Sequence, residues 1–271
     1  MPKIAIITRT KNRNQFLSRA IESVISQTYK DWVHVIVNDG GDEKELHETV
    51  RPYLSEYSNR LKIIHKPYSS GMEAATNTGI NNSDSHWLAI HDDDDTWDKD
   101  FLKLMLNHIE TRKLDGCVCH VKQIFESEKN GLINIISCRY FNPDLKKLRV
   151  KDIRSNNLFM PISFVFSREI CKEIGGFDES FLVCGDWDFH YRYLNHANVG
   201  LISLPLANYH IREMSQSSVE SMNSIHKKDL HNNYKRKFIM KHKITKTDLW
   251  CGLIREFVLS KPTRYFLRKV K

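Results

Sequence analysis

Five consecutive residues, His91-Asp92-Asp93-Asp94-Asp95, follow directly on the apolar stretch Trp87-Leu88-Ala89-Ile90. Carboxylates packed side by side repel one another, so a fold that keeps four of them at the end of a buried strand calls for a cation between them. An all-oxygen cluster suits Mg²⁺ or Mn²⁺, ions usually held by one or two carboxylates and completed by substrate phosphates. A charge run taken by itself is more often a solvated loop. The surrounding pattern argues for the metal.

The elements that would position this run follow from hydrophobic patterning. Short apolar runs, Ile4-Ala5-Ile6-Ile7, Val33-His34-Val35-Ile36-Val37, Leu61-Lys62-Ile63-Ile64 and Trp87-Leu88-Ala89-Ile90, alternate with amphipathic segments. Such nearly continuous runs suit strands covered on both faces, hence a parallel sheet. Between the first two, Phe16, Leu17, Ala20, Ile21, Val24 and Ile25 recur at helical spacing, and residues near 43–57 and 71–81 supply further crossover helices. The fold class is therefore α/β. Thr8-Arg9, Asn38-Asp39, His65-Lys66 and the acidic run close the successive strands. Open α/β sheets bind ligands outside the carboxyl ends of their strands, so these polar residues should converge on one crevice. Arg9 and Lys66 beside several aspartates describe a pocket for a phosphate-bearing molecule with a metal ion. No glycine precedes Gly40, which excludes a glycine-rich dinucleotide fingerprint or a P-loop after the first strand. Downstream, a helix over about 99–112 leads to strands over 116–125, 132–137 and 157–167 and a turn at Gly175-Gly176. A helix from Gly185 to about His196 and a strand and return loop over 200–204 and 208–212 complete the pattern.

With 41% hydrophobic and 27% charged residues, the 271-residue chain has an ordinary globular make-up. No stretch reaches the roughly 18–20 apolar residues of a membrane span, and the first residues lack a signal-peptide profile, so a cytoplasmic location is expected. Six cysteines with no CxxC pair read as reduced. The net charge of +8 is concentrated at the end, where residues 222–271 hold 14 Lys and Arg against 3 acids and leave a slightly negative balance elsewhere. Tyr234, Phe238, Trp250, Phe257, Tyr265 and Phe266 interleave with that charge. The combination suits a segment lying on an anionic membrane surface. It suits equally a helical cap whose aromatics pack on the main domain.

Several blocks resemble family 2 of the glycosyltransferases, inverting metal-dependent enzymes of GT-A fold. Ile6-Ile7-Thr8-Arg9-Thr10-Lys11-Asn12-Arg13 is similar to the family's opening strand and loop, residues 20–29 to its first helix, and Val37-Asn38-Asp39-Gly40-Gly41 to its second strand end. Gly71, Asn77 and Gly79 fit a later loop, and Asp92-Asp93-Asp94-Asp95-Thr96-Trp97 the DxD region. Gly175-Gly176-Phe177-Asp178-Glu179 followed by Gly185-Asp186-Trp187-Asp188 resembles the acceptor side. The resemblance implies a mixed, mostly parallel sheet with helices on both faces. A nucleotide-sugar-binding half (1–115) and an acceptor-binding, catalytic half (116–215) would be followed by a basic helical extension (216–271).

It further implies that Thr8, Arg9, Asp39, Lys66, Asn77, Asp92 and Asp93 surround the donor. Asp39 would accept the ring N–H of the base, Asp92 would reach the ribose, and Asp94 with His210 would hold Mn²⁺ or Mg²⁺. Uracil, thymine and guanine offer such an N–H and cytosine does not, and a UDP-sugar is the favoured donor. Asp186 matches the aspartate of the family's Glu-Asp motif, the general base on the acceptor hydroxyl. By itself it reads as a helix N-cap, and both roles can coexist; Asp188 is the fallback base. Trp187 would shape the acceptor pocket and Arg212 would contact the diphosphate. The chain departs from the family pattern twice: Thr76 stands where an arginine is common, with Arg9 or Lys66 as replacements, and Gly185 stands where the acid before the base is expected.

A sugar-1-phosphate nucleotidyltransferase would share the sheet and the metal, but it needs a glycine-rich loop that residues 8–14 lack. Nucleic-acid binding through the basic tail is the other alternative, and the acidic crevice argues against it. The expected partners are a nucleotide-sugar donor, a glycan or lipid-linked glycan acceptor and an anionic membrane surface through residues 222–271, with a place in surface polysaccharide synthesis.

Overall fold

The computed structural model describes residues 2–129, 132–212, 228–245 and 247–249. The first apolar run forms β1 (Ile4–Thr10), followed by α1 (Asn14–Ile25), β2 (Trp32–Asp39), α2 (Glu43–Val50), α3 (Leu54–Tyr57), β3 (Leu61–Lys66), α4 (Met72–Asn81), β4 (Trp87–Ile90), β5 (Thr96–Trp97) and α5 (Phe101–Arg112). Then come β6 (Gly116–Lys129), β7 (Leu132–Phe141), α6 (Val150–Ile153), β8 (Phe164–Ser167), α7 (Arg168–Glu173), α8 (Gly185–His196), β9 (Val199–Arg212) and α9 (Lys228–Lys241). The strands join one mixed sheet in the order β3-β2-β1-β4-β8-β6-β9-β5, with β7 paired to β6. From β3 to β4 the strands are parallel, and β8 enters antiparallel between β4 and β6.

Alternation along β1 sends Ile4 and Ile6 to one face and Ala5 and Ile7 to the other, all fully buried. The first pair packs with Leu17 and Ile21 of α1 and with Phe101, Leu102 and Met105 of α5. The second packs with Ala75 and Ile80 of α4 and with Phe189 and Tyr193 of α8. Each large apolar side chain buried in these layers contributes about 1.5–3 kcal/mol. This two-sided burial fixes the strand ends that carry the polar residues.

Two stretches differ from their sequence pattern. Residues 157–167 are not one strand: Pro161 has no N–H for a ladder and opens a short 3₁₀ turn, Pro161–Ser163, before β8. Trp97 Nε1 donates to the Ile162 carbonyl at 2.7 Å and pins that turn. Conversely, β9 runs unbroken where two pieces were expected, because its ladder with β6 shifts register around His120, opposite Pro205, and then resumes.

Of the basic extension, α9 is described, and it packs on the domain. Phe238 is fully buried, stacked on Trp187 with ring centroids 4.3 Å apart, and Tyr234 meets Phe181 at 5.8 Å. Lys241 Nζ lies 2.7 Å from both Asp178 Oδ2 and Asp188 Oδ1. Trp250, Phe257, Tyr265 and Phe266 lie outside the described residues. Among the described residues no helix is long and apolar enough to cross a membrane.

Candidate active site

A cleft of about 520 Å³ opens at the carboxyl ends of β1, β2 and β4, a size in the range of small-ligand sites. Asp39 closes β2 and is 6% exposed. Its carboxylate accepts from Ser70 N at 3.0 Å, Gly71 N at 3.1 Å and Ser69 Oγ at 2.7 Å, and Lys66 Nζ lies 3.0 Å away. Burial would raise its pKa, but the donors from Ser70, Ser69, Lys66 and Gly71 outweigh that and hold it below the usual carboxylate value. Gly71 has φ 96, a left-handed conformation that lets the loop turn its N–H groups onto Asp39 before α4 starts.

Arg9, at the end of β1, places Nη2 2.8 Å from Asp92 Oδ1 and donates from Nη1 to Thr76 Oγ1 at 2.7 Å. A guanidinium from β1 thus occupies the neighbourhood of residue 76, where the family pattern has an arginine on α4.

The acidic run is threaded with arginines. Arg13 Nη1 lies 2.9 Å from Asp93 Oδ1, and Arg13 and Arg212 both donate to Asp94 Oδ2. Burial would raise the Asp94 pKa, but Arg13 and Arg212 hold it below the ordinary value. For Asp93, burial and the neighbouring Asp94 charge prevail over Arg13 and push the pKa up to about 7. Asp95 faces inward: Oδ1 accepts from the His210 N–H at 2.9 Å, Oδ2 is buried without a partner, and burial with the Asp94 charge raises its pKa well above normal. Such a group is kept neutral, an economical state for a carboxyl removed from water. Behind the run, Glu126 on β6 pairs with Arg19 at 2.9 Å and with His210 Nδ1 at 2.6 Å.

Among the described residues no group of three or more His, Cys, Asp or Glu could hold a metal unaided. Asp94 nevertheless presents a hard-oxygen carboxylate at the cleft wall. One such ligand suits an Mg²⁺ or Mn²⁺ ion that takes its remaining oxygens from a diphosphate and water. His210 does not join it, because its ring nitrogens are engaged by Glu126 and, at 3.1 Å, by Thr96 Oγ1.

Opposite the run stands the first turn of α8. Its N-cap is Cys184, with φ 63 and no side-chain cap, so Asp186 is not the cap but the second residue inside the helix. Asp186 lines the cleft, and its Oδ2 accepts from Asn157 Nδ2 at 2.8 Å. Asn157 Oδ1 in turn meets His190 Nδ1 at 3.0 Å. Burial lowers the His190 pKa to about 3, so the ring is neutral, and donation from Nδ1–H to Oδ1 turns the amide N–H toward Asp186. Burial, aided by the Asp92 charge, raises the Asp186 pKa. Glu73, from the first turn of α4, is 4% exposed beside it, and burial pushes its pKa up to about 7. A general base needs such a high proton affinity to work near neutrality.

Of the expected site residues, Arg9, Asp39, Asp92, Asp93, Asp94, Asp186 and Trp187 line this one cleft, with Lys66 and Arg212 in contact through Asp39 and Asp94. Four lie elsewhere. Thr8 is fully buried against His34 at 2.8 Å. Asn77 holds the Gly175-Gly176 turn through the Phe177 N–H and carbonyl, at 3.0 and 2.9 Å. His210 sits behind the acidic run, and Asp188, fully buried, is tied to Arg192, Lys241 and His242. Trp187 donates to the Ile153 carbonyl at 2.6 Å and acts as a wall. The pattern-based reading missed Glu73, Arg13, Asn157 and His231. His231 reaches the cleft from α9, with Nδ1 3.5 Å from Cys184 Sγ. A single acid among the small residues of α4 was the available signal for Glu73.

Comparison with known proteins shows the family and the fold. Residues 5–175 match the model of glycosyl transferase family 2. The uncharacterized glycosyltransferase YwdF of Bacillus subtilis (strain 168) is 28% identical over 190 residues, 70% of this chain and 67% of that protein. The putative colanic acid biosynthesis glycosyl transferase WcaA of Escherichia coli (strain K12) is 33% identical over 108 residues, 40% of this chain and 38% of that one. The glycosyltransferase GlyA of Streptococcus pneumoniae serotype 4, 30% identical over 139 residues, is matched over 51% of this chain and 20% of its own length. In three dimensions, S. aureus TarS 1-349 superimposes with a TM-score of 0.68 at 16% identity over 96% of this chain and 73% of that one. The mannosyltransferase PcManGT from Pyrobaculum calidifontis, in complex with GDP-Man and Mn²⁺, gives 0.64 at 15% identity over 94% and 69%. With its GT-A sheet and a match across more than half its length, the chain belongs to glycosyl transferase family 2.

Proposed function

We propose that the protein transfers a sugar from a nucleoside-diphosphate donor, a UDP-sugar first, to a hydroxyl of a glycan or lipid-linked glycan, with inversion. The observation that carries this reading is the placement of Asp39, Asp94 and Asp186 on the walls of one cleft. Asp39, ionised and fixed by its loop, is the acceptor for the ring N–H of the base, and Asp92 lies toward the ribose. Arg9, Arg13 and Arg212 are the cationic neighbours of the diphosphate. A Mn²⁺ or Mg²⁺ ion on Asp94 supplies further neutralisation of the leaving diphosphate when bound. Asp186 removes the proton of the acceptor hydroxyl from the face opposite the leaving group, as inversion requires. Residues 1–115 carry the donor side and 116–215 the acceptor side. A complex of TarS with UDP-GlcNAc supports the choice of donor, and the relative named for colanic acid biosynthesis supports a place in surface polysaccharide assembly.

Calorimetry with UDP-, dTDP- and GDP-sugars, with and without Mn²⁺, tests the reading. Metal-dependent binding of a UDP-sugar is expected, and no binding of any of the three would refute it. The exposure of Arg236 and Lys243, with the basic composition of residues 222–271, supports a peripheral position on the inner face of a membrane. Deleting residues 247–271 is then expected to release the protein from anionic vesicles, and undiminished sedimentation with them would refute that placement.

A further inference from the structure

The acid missing before Asp186 has a counterpart elsewhere in the chain. With Glu73 in place, Gly185 has no room for a side chain: a Cβ built on it would fall 2.5 Å from Glu73 Cγ and 2.6 Å from Glu73 Cδ, and would overlap Oε1. Side-chain atoms do not approach so closely, so the carboxyl of Glu73 fills the volume that a residue with a side chain at 185 would claim. Glu73 comes from the opposite wall, in the first turn of α4, and lines the cleft together with Asp186. With 4% exposure it is sealed from bulk water. We propose that Glu73 is a positioning residue for the base: its carboxyl, entering through the space Gly185 leaves open, forms a like-charge pair with Asp186 that binds the acceptor's proton more tightly than a lone aspartate would.

Two carboxyls crowded together cannot both ionise cheaply, and they titrate as a pair in two steps. The charges that act on Glu73 include Arg9 from β1, Asp92 beyond β4, and Asp186 and Asp188 in the first turn of α8; Cys184 lies beside it, with Lys235 and His231 of α9 close to Cys184. Arg9 is the cation that acts most strongly on Glu73, and it is shared with Asp92. In the transfer step the acceptor oxygen bonds to the anomeric carbon, the bond from that carbon to the diphosphate oxygen breaks, and its electron pair leaves with the diphosphate. The hydroxyl proton goes to Asp186, where the Glu73 charge stabilises it.

This inference rests on Asp186 being the base, and the test separates the two claims. The full-length protein, labelled with ¹³C at aspartate carboxyls, is titrated by NMR; the Asp186 resonance is assigned as the one lost in Asp186→Asn. A two-step titration of Asp186 is expected in the parent and a single step in Glu73→Gln. Gly185→Ala, which displaces Glu73 without removing a carboxyl, should also give a single step, and Glu73→Asp should retain two. In parallel, UDP release from UDP-N-acetylglucosamine with water as acceptor is followed against pH. Glu73→Gln should lower kcat about 10-fold near pH 7 and shift the acid limb of the profile downward, with KM for the donor within about twofold. An Asp186 titration identical in parent, Glu73→Gln and Gly185→Ala would overturn the pairing. So would a change confined to donor KM, since Glu73 would then serve Arg9 instead. An Asp186→Asn protein as fast as the parent would sink the base assignment and leave the titration result standing.

Discussion

Two groups of buried and half-buried carboxyls line the cleft and are treated in different ways. On the donor wall, Asp92, Asp93 and Asp94 each meet a guanidinium, from Arg9, Arg13 and Arg212. On the acceptor wall, Asp186 is held by the neutral amide of Asn157, and Glu73 lies in the field of Arg9. Charge compensated by arginine suits a surface that binds an anion and its counter-ion; Asp93, whose burial outweighs Arg13 and lifts its pKa to about 7, is the exception on that wall. Under-compensated carboxyls hold protons near neutrality and suit a surface that must accept one. Under the proposed function, the number of guanidinium partners, more than residue type, distinguishes the aspartates of the acidic run from Asp186.

The largest effect that could break this contrast is in the rate. Asp186→Asn should reduce UDP release from UDP-N-acetylglucosamine by roughly 10²- to 10⁴-fold, the share of a general base, while calorimetric donor binding stays near the parental value. Parental turnover would place both walls in the same category. Next, Asp94→Ala should abolish the Mn²⁺-dependent part of donor binding. It should also cost about 3–5 kcal/mol in chemical denaturation, since Arg13 and Arg212 would lose their shared carboxylate. A fully stable variant would show that the donor wall is not compensated as described. The smallest effect concerns pH. Glu73 has a folded pKa of about 7 against an ordinary 4.5. Its burial is therefore harmless below pH 4.5, and it destabilises progressively as pH rises to about 7, because the unfolded chain gives up the proton first. Glu73→Gln should remove that slope. Relative to the parent it should gain on the order of 2 kcal/mol between pH 4.5 and pH 7, measured by urea unfolding at each pH.

The donor wall was largely legible because its parts are local in sequence. Four strands end in polar residues at one edge of a parallel sheet, and topology alone gathers Arg9, Asp39 and the acidic run. The place of Asp186 in the same cleft was legible from motif order. Much of the rest depends on which side chains the folded strands and loops bring together. Whether His210 points at the cleft is decided by the register of β9 on β6, where it lies opposite Ile124 and turns toward Glu126. Thr8 lies two residues before the end of β1, on the inward side of the pleat against His34. The cap of α8 was misread because Cys184, a residue with little cap preference, takes the left-handed conformation there. Arg13, in a block that was recognised, revealed its task only once folding laid it across Asp93 and Asp94.

The close approach at Gly185 also constrains how the sequence can change. Positions 73 and 185 compete for one volume, so an acid regained at 185 must push a long side chain at 73 out of its place. Shortening residue 73 first opens the way; the reverse order collides. Homologues should accordingly carry a long acid at one of the two sites and a small residue at the other, and the exchange Glu73→Ser with Gly185→Glu should recover what either replacement forfeits.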